Sequence, residues 1–276
     1  MYPSIDWNRV WQETQQENLN IRKSSRCSAY WDSEQRASDY LRTSRTGGGD
    51  RIRTMIQALD ITPESRILDI GSGPGTLALP LAPMVSRITA VEPAAHMVAR
   101  LREEIRQNSV TNISIVEKHW EDLAIPDLQP PYDGVIAAYS LGMPDLKGAL
   151  MKMQEVCSGT VYIFYAAGKP FWEEMMVYLW PHLHNTSYQP GPKADVIWNL
   201  LYQMGICANI AVTPIIQRNR YKGLEEAVAE YAPRMLITEE WQRDLLSQYI
   251  RNRLLICDGD YCLTGTVLHT CISWKA

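Results

Sequence analysis

The chain has 276 residues, 46% hydrophobic and 21% charged, enough for one large globular domain with a buried core and appended segments. A net charge of −4 and a pI near 5.8 give no basic footprint for phosphate backbones, which disfavours nucleic acid as a partner. Without a long apolar run or the basic, apolar start of a signal peptide, no membrane partner and a cytoplasmic location are expected.

Residues 1–48 mix Trp7, Trp11, Tyr30, Trp31 and Tyr40 with polar residues and end in Thr46-Gly47-Gly48-Gly49-Asp50. This reads as a helical N-terminal extension, a lid hinged to a main domain of residues 49–276. A helix is expected at about 50–59, then strands at 66–70, 87–91, 113–116, 134–138 and 160–164, with helices at about 94–108 and 145–156 among them. Short apolar runs alternating with helical stretches predict a doubly wound, mostly parallel α/β sheet covered on both faces.

Beyond Phe164 the rhythm breaks into an aromatic insertion, about 168–195, with a turn-rich stretch Gln189-Pro190-Gly191-Pro192. Two later β-rich stretches, 208–216 and 261–274, supply the last strands of a seven-stranded sheet, with helices at about 223–232 and 238–252 between them. The cysteines Cys27, Cys157, Cys207, Cys257, Cys262 and Cys271 are scattered, lack matched histidine spacing, and are expected to be mostly packed thiols rather than metal ligands.

The strongest local signal is Ile67-Leu68-Asp69-Ile70-Gly71-Ser72-Gly73-Pro74-Gly75-Thr76, where the first strand runs into a helix. Glycines suit a tight turn whose backbone must approach a ligand. The dinucleotide fingerprint needs glycine where Thr76 stands, so the spacing argues against a nicotinamide enzyme. The second strand ends at Val91-Glu92-Pro93, where a carboxylate is positioned to accept bonds from both ribose hydroxyls.

These residues resemble the class I S-adenosylmethionine-dependent methyltransferases, from about Asp50 to Phe164. Leu68 to Gly75 is similar to the first motif of that superfamily, and Ala90-Val91-Glu92-Pro93 with Met97 to the second. The resemblance implies a Rossmann-like methyltransferase fold, S-adenosyl-L-methionine as methyl donor and S-adenosyl-L-homocysteine as product. It implies that Gly71, Ser72, Gly73, Gly75 and Thr76 hold the methionine part, that Asp69 orients its amino group through water, and that Glu92 holds the ribose. Lys118-His119-Trp120-Glu121 is similar to the third motif, which meets adenine, although Trp120 replaces the usual small residue. Its indole either stacks on the base or covers the strand end, and His119 either contacts adenine or faces water. Tyr139-Ser140-Leu141-Gly142 ends the fourth strand and is expected to face the reactive methyl, while Cys157-Ser158-Gly159 replaces the usual turn before the fifth.

Because the donor carries its own activation, catalysis needs proximity and alignment first, and a general base only if the acceptor must lose a proton. Tyr139, His182 and His184 are the base candidates, with ordinary polar contacts as the alternative for the histidines; their spacing of two would put both on one face of a strand. His96 is expected to serve structure, and His269, alternating with apolar residues, to occupy a satisfied sheet position. Phe171, Trp172, Tyr178, Trp180 and Tyr188 either line an acceptor pocket closed by Trp31 and Tyr40 or merely pack the insertion onto the sheet. A small-molecule acceptor is the leading expectation, with a protein acceptor or a cofactor-binding module without transfer as alternatives.

Overall fold

A computed structural model describes residues 5–24, 31–47, 49–257 and 259–276, with the backbone alone at 42–47 and 49. Cys27, Tyr30 and Gly48 lie outside the described residues. The chain opens with helices α1 (Trp7–Ile21), α2 (Glu34–Gly47) and α3 (Gly49–Gln57). Thus the two ends of the glycine run expected as a hinge belong to helices α2 and α3.

Strands β1 (Arg66–Ile70), β2 (Arg87–Val91) and β3 (Ile113–Val116) fall on the expected residues. They alternate with helices α4 (Ala78–Leu81) and α5 (Ala95–Gln107). Strand β4 (Tyr132–Ala138), helix α6 (Leu146–Val156) and strand β5 (Cys157–Ala166) follow. Cys157-Ser158-Gly159, expected as a turn, instead begins β5: a Cβ on Gly159 would lie 2.1 Å from the carbonyl oxygen of Asp133, so glycine lets the two strands close.

The aromatic insertion folds as helix α7 (Phe171–His184) and a following turn-rich stretch that leads into helix α8 (Ala194–Gln203). Strand β6 (Asn209–Tyr221), helices α9 (Leu224–Tyr231) and α10 (Glu240–Arg251), and strands β7 (Leu255–Cys257) and β8 (Asp260–Lys275) complete the chain. The sheet order is β3-β2-β1-β4-β5-β8-β6, parallel from β3 to β5, with β8 antiparallel to both neighbours. The sheet has eight strands where seven were expected, because the short β7 pairs with the start of β8. Three residues with little burial made that extra strand illegible in the pattern.

Two cores result. One lies along the sheet and includes Leu68, Ile70, Val135, Ala137, Val161 and Ile163. Trp11 of α1 is fully buried in it, and its indole N–H donates to the Met143 carbonyl at 2.9 Å. A second core, with Met176, Leu179, Trp180, Tyr221, Tyr231 and Leu246, joins α7, α9 and α10 to the far ends of β6 and β8. Between β1 and β4 the order of connection reverses, β1 leading to β2 on one side while β4 leads to β5 on the other. In open α/β sheets this reversal opens a crevice at the strand C-termini, where ligands bind. No helix among the described residues is long and apolar enough to cross a membrane. Of the described cysteines, Cys157 and Cys262 are buried, Cys257 and Cys271 half-buried and Cys207 exposed.

Candidate functional site

A cavity of about 1120 Å³ opens at that reversal. Its floor is the turn after β1. Gly71, Gly73 and Gly75 have φ of +69°, +55° and +85°, the left-handed region that side chains disfavour. A Cβ on Gly71 would lie 2.3 Å from the Cβ of Ser140, whose hydroxyl donates to the Ile70 carbonyl, so this glycine locks the turn against the loop after β4. At Gly73 a Cβ would enter open space, as expected of a backbone facing a ligand. Gly75 does not line the cavity; a Cβ there would strike Leu101 at 2.5 Å, so it serves packing of the turn beneath α5.

Glu92 closes one side. Its carboxylate accepts from the Gly73 amide at 2.9 Å through Oε2 and from the Ala94 amide at 2.9 Å through Oε1, which ties the end of β2 to the glycine turn. Each oxygen keeps a lone-pair direction for a further donor. Burial raises the pKa of Glu92, opposed by those two amides. Asp69 is 2% exposed, and burial, with the charge of Glu92, raises its carboxyl to about 7. Its Oδ2 has no partner, nor do the buried hydroxyls of Ser72 and Thr76. A buried polar atom without a partner costs about 1–3 kcal/mol, so three around one turn mark groups that a ligand would satisfy.

The candidate cofactor residues Asp69, Gly71, Ser72, Gly73, Thr76, Glu92, Pro93, Met97, His119, Trp120, Glu121 and Tyr139 all border the cavity. The Trp120 indole, however, is committed elsewhere: it is 3% exposed, its N–H donates to the Ala149 carbonyl of α6 at 3.3 Å, and the Lys152 ammonium sits 4.6 Å from the ring centre. The ring covers the strand end, leaving the segment's backbone for recognition of a base. His119 is half-buried, with Nδ1 4.0 Å from Glu121. His96 is exposed on α5.

The aromatic candidates divide. Trp31, Tyr40, Trp172 and Tyr188 border the cavity, and Trp31 meets Tyr40 edge-to-face at 5.3 Å beside Met97. Tyr178 is 58% exposed beside Tyr249, while Trp180 is buried in the second core against His184 and Tyr188. Phe171 packs there too and is absent from the cavity wall. His182 and His184 are likewise away from it: they lie on helix α7, where residues two apart do not share a face. His182 is exposed and His184 Nε2 bonds the Met235 carbonyl at 2.8 Å.

Several wall residues gave no sequence signal. Glu173 is buried, pairs with Lys193 at 2.9 Å through Oε1, and leaves Oε2 without a partner. Arg51 comes from α3, and Gln217 and Asn219 from β6. His269 is not a satisfied sheet residue: its Nδ1 is 2.6 Å from the Tyr139 hydroxyl while Nε2 has no partner. Tyr139 has φ +56°, unusual for so bulky a residue, and its amide donates to the Phe164 carbonyl at 2.8 Å. Burial raises its hydroxyl to about 12, and burial, followed by the charge of Arg51, lowers His269 to about 4.

Comparison with known proteins agrees with this geometry. Residues 67–159 match the model of a methyltransferase domain family. The chain is 28% identical over 156 residues to an uncharacterized protein of Haemophilus influenzae, covering 56% of each. It is 34% identical over 116 residues to the 23S rRNA (uracil(1939)-C(5))-methyltransferase RlmD of Methylococcus capsulatus, covering 42% of this chain and 26% of that one. The chain thus spans little more than half, or less, of these curated relatives. Among solved structures, the YcgJ protein from Bacillus subtilis superposes with a TM-score of 0.52 at 17% identity, over 81% of this chain and 97% of that one. Residues 67–159 thus carry a methyltransferase domain, and the glycine turn with Glu92 and the strand order agree with the Rossmann-like fold of class I methyltransferases.

Proposed function

We propose that this protein transfers a methyl group from S-adenosyl-L-methionine to a small-molecule acceptor held in the same cavity. The observation that carries this reading is the unfilled donor and acceptor set around one glycine turn: the Asp69 Oδ2, the Ser72 and Thr76 hydroxyls and the free directions of Glu92. The set suits the group chemically. Asp69 would take an ammonium, Glu92 two ribose hydroxyls, and the open face of Gly73 a chain passing close to the backbone. When bound, the sulfonium supplies an already activated methyl to an attacking nucleophile.

The protein's part is then alignment and exclusion of water, which contribute about 7–11 kcal/mol when reactants are held in line. Tyr139, fixed against the glycine turn through Ser140, marks the passage from the cofactor end to the acceptor end. Helices α1 and α2 border the cavity with Gln15, Asn18 and Tyr40, and Trp31 borders it just before α2, which supports a molecule-sized acceptor and a lid role for these helices. Asn18 ties α1 to the insertion, donating to the Tyr188 hydroxyl at 3.1 Å and to the Gln189 carbonyl at 2.6 Å.

A nucleic-acid acceptor is the second reading, favoured by the rRNA-modifying relative, but that match covers only a quarter of the relative. The net charge of −4 and the aromatic lining of the cavity support the first. Calorimetric titration with S-adenosylmethionine, S-adenosylhomocysteine and NAD, with Glu92→Ala alongside, tests the donor. Selective binding of the two adenosyl sulfur compounds, weakened in the variant, is expected; NAD binding alone, or no binding, would overturn the reading. Binding without methyl transfer across small-molecule, protein and RNA panels would leave a cofactor-binding module instead.

A further inference from the structure

Beyond the proposed donor site, the cavity holds an arrangement that no motif foretold. Tyr139, at the end of β4, and His269, on β8, meet across β5 with a hydroxyl-to-Nδ1 distance of 2.6 Å and stacked rings 5.7 Å apart. The Arg51 guanidinium lies 5.1 Å from the centre of the Tyr139 ring. All three side chains border the cavity. His269 is 2% exposed.

The polarity of this cluster follows from its bonds. The phenol is the stronger donor of the pair, so the Tyr139 O–H donates to Nδ1 of a neutral imidazole and the ring proton sits on Nε2. His269 Nε2 has no partner, and neither does the buried Nε of Arg51. Two N–H donors of one cluster are therefore left unsatisfied, each at a cost a ligand oxygen would remove. Two carboxylates that line the same cavity have cations of their own: Glu173 is paired with Lys193 at 2.9 Å and Glu230 with Arg234 at 3.0 Å. A cluster of donors with one fixed positive charge suits an acceptor-only, negatively charged oxygen.

We infer that Arg51, with His269 Nε2–H held in place by Tyr139, binds an anionic oxygen of the methyl acceptor, which makes the acceptor a small carboxylate-bearing molecule. The inference rests on the methyltransferase reading of the neighbouring turn. His269 and Arg51 are binding groups in it and Tyr139 is a positioning residue that sets the tautomer. Tyr165, which stacks with Tyr139, and Trp172 and Tyr40 elsewhere in the same cavity suit an aromatic or otherwise apolar body behind the carboxylate. The cluster is suited to hold an anion rather than to abstract a proton: a tyrosine raised to about 12 keeps its proton at pH 7, and a histidine lowered to about 4 is a weak base.

The test titrates the full chain, saturated with S-adenosylhomocysteine, with benzoate, phenyl phosphate, benzamide and benzylamine, following ligand signals by saturation-transfer NMR and His269 by ¹⁵N shifts. Benzoate is expected to bind at least tenfold more tightly than benzamide or benzylamine, to shift the protonated Nε2 signal of His269, and to lose its advantage in Arg51→Met and in His269→Phe. Affinity for S-adenosylhomocysteine should stay within twofold in both variants. Equal binding of benzamide, tighter binding of phenyl phosphate, no anion binding at 10 mM, or an advantage that survives Arg51→Met would each overturn the inference. Failure to bind S-adenosylhomocysteine would instead strike the donor reading, and is read separately in the same samples. Tyr139→Phe adds a readout that packing alone would not move: the Nε2-protonated signature should give way to a mixture of tautomers.

Discussion

The two ends of the cavity are built in opposite ways. At the donor end, the wall comes from three short segments that each follow a parallel strand, 69–76, 92–97 and 119–121. Each segment is local in sequence, and much of its chemistry is backbone, so glycine spacing and one carboxylate suffice to announce it. The acceptor end draws Gln15, Tyr40, Arg51, Glu173, Asn219 and His269 from six separate helices and strands. Their meeting is decided by tertiary packing, which no window of sequence contains. The donor end is thus a motif and the acceptor end a conformation, and substitutions should treat them differently.

The largest expected effect is at Gly71. Valine there must resolve a 2.3 Å approach to Ser140 and a φ of +69°, so Gly71→Val should cost about 3 kcal/mol or more in urea unfolding and abolish binding of S-adenosylhomocysteine. Gly73→Ala separates strain from function: with open space around its Cβ and φ +55°, it should lose only about 1–2 kcal/mol of stability while affinity falls at least tenfold. If both variants lose stability equally and bind equally, the division between locking and ligand-facing glycines is wrong.

Next comes Asp69, which gives the donor end a pH signature. Its folded pKa, about 7, lies above the ordinary carboxylate range, so between about pH 4 and 7 the folded state holds a proton that the unfolded chain has released. Stability of the ligand-free protein should therefore fall as pH rises through that window. A cationic ligand favours the ionised form, so affinity should rise with pH up to about 7 and then level off, with proton uptake by buffer visible in calorimetry. Asp69→Asn should remove the slope in both. A flat affinity profile in the unmodified protein would detach Asp69 from the ligand.

The smallest effects are expected on α7, outside the cavity. His182→Ala should leave binding and transfer unchanged, and His184→Ala should cost about 1 kcal/mol through loss of its bond to Met235 while changing affinity less than twofold. Loss of methyl transfer in either variant would move the acceptor site to the insertion's outer face and dissolve the contrast drawn above.

That contrast also explains what the sequence made legible. Strands β1 to β3 were placed residue for residue because short apolar runs between turn signals are strand-like on their own. The insertion's aromatic residues suit either a pocket or packing, and the fold uses both: helical periodicity sends Trp180 to the second core and Tyr178 to solvent, leaving Trp172 and, beyond the helix, Tyr188 at the cavity. His269 looked like an ordinary alternating strand residue. Only the placement of β8 between β5 and β6 sets it against Tyr139, and only that contact decides which nitrogen remains free.

The most direct test of the central claim is a crystal structure of the protein with S-adenosylhomocysteine. The account predicts the amino group at Asp69, the ribose hydroxyls on Glu92, adenine beside the 119–121 backbone with the Trp120 indole still turned to α6, and the sulfur facing Tyr139. A nucleoside bound elsewhere, or a ribose that leaves Glu92 bonded only to the Gly73 and Ala94 amides, would contradict it.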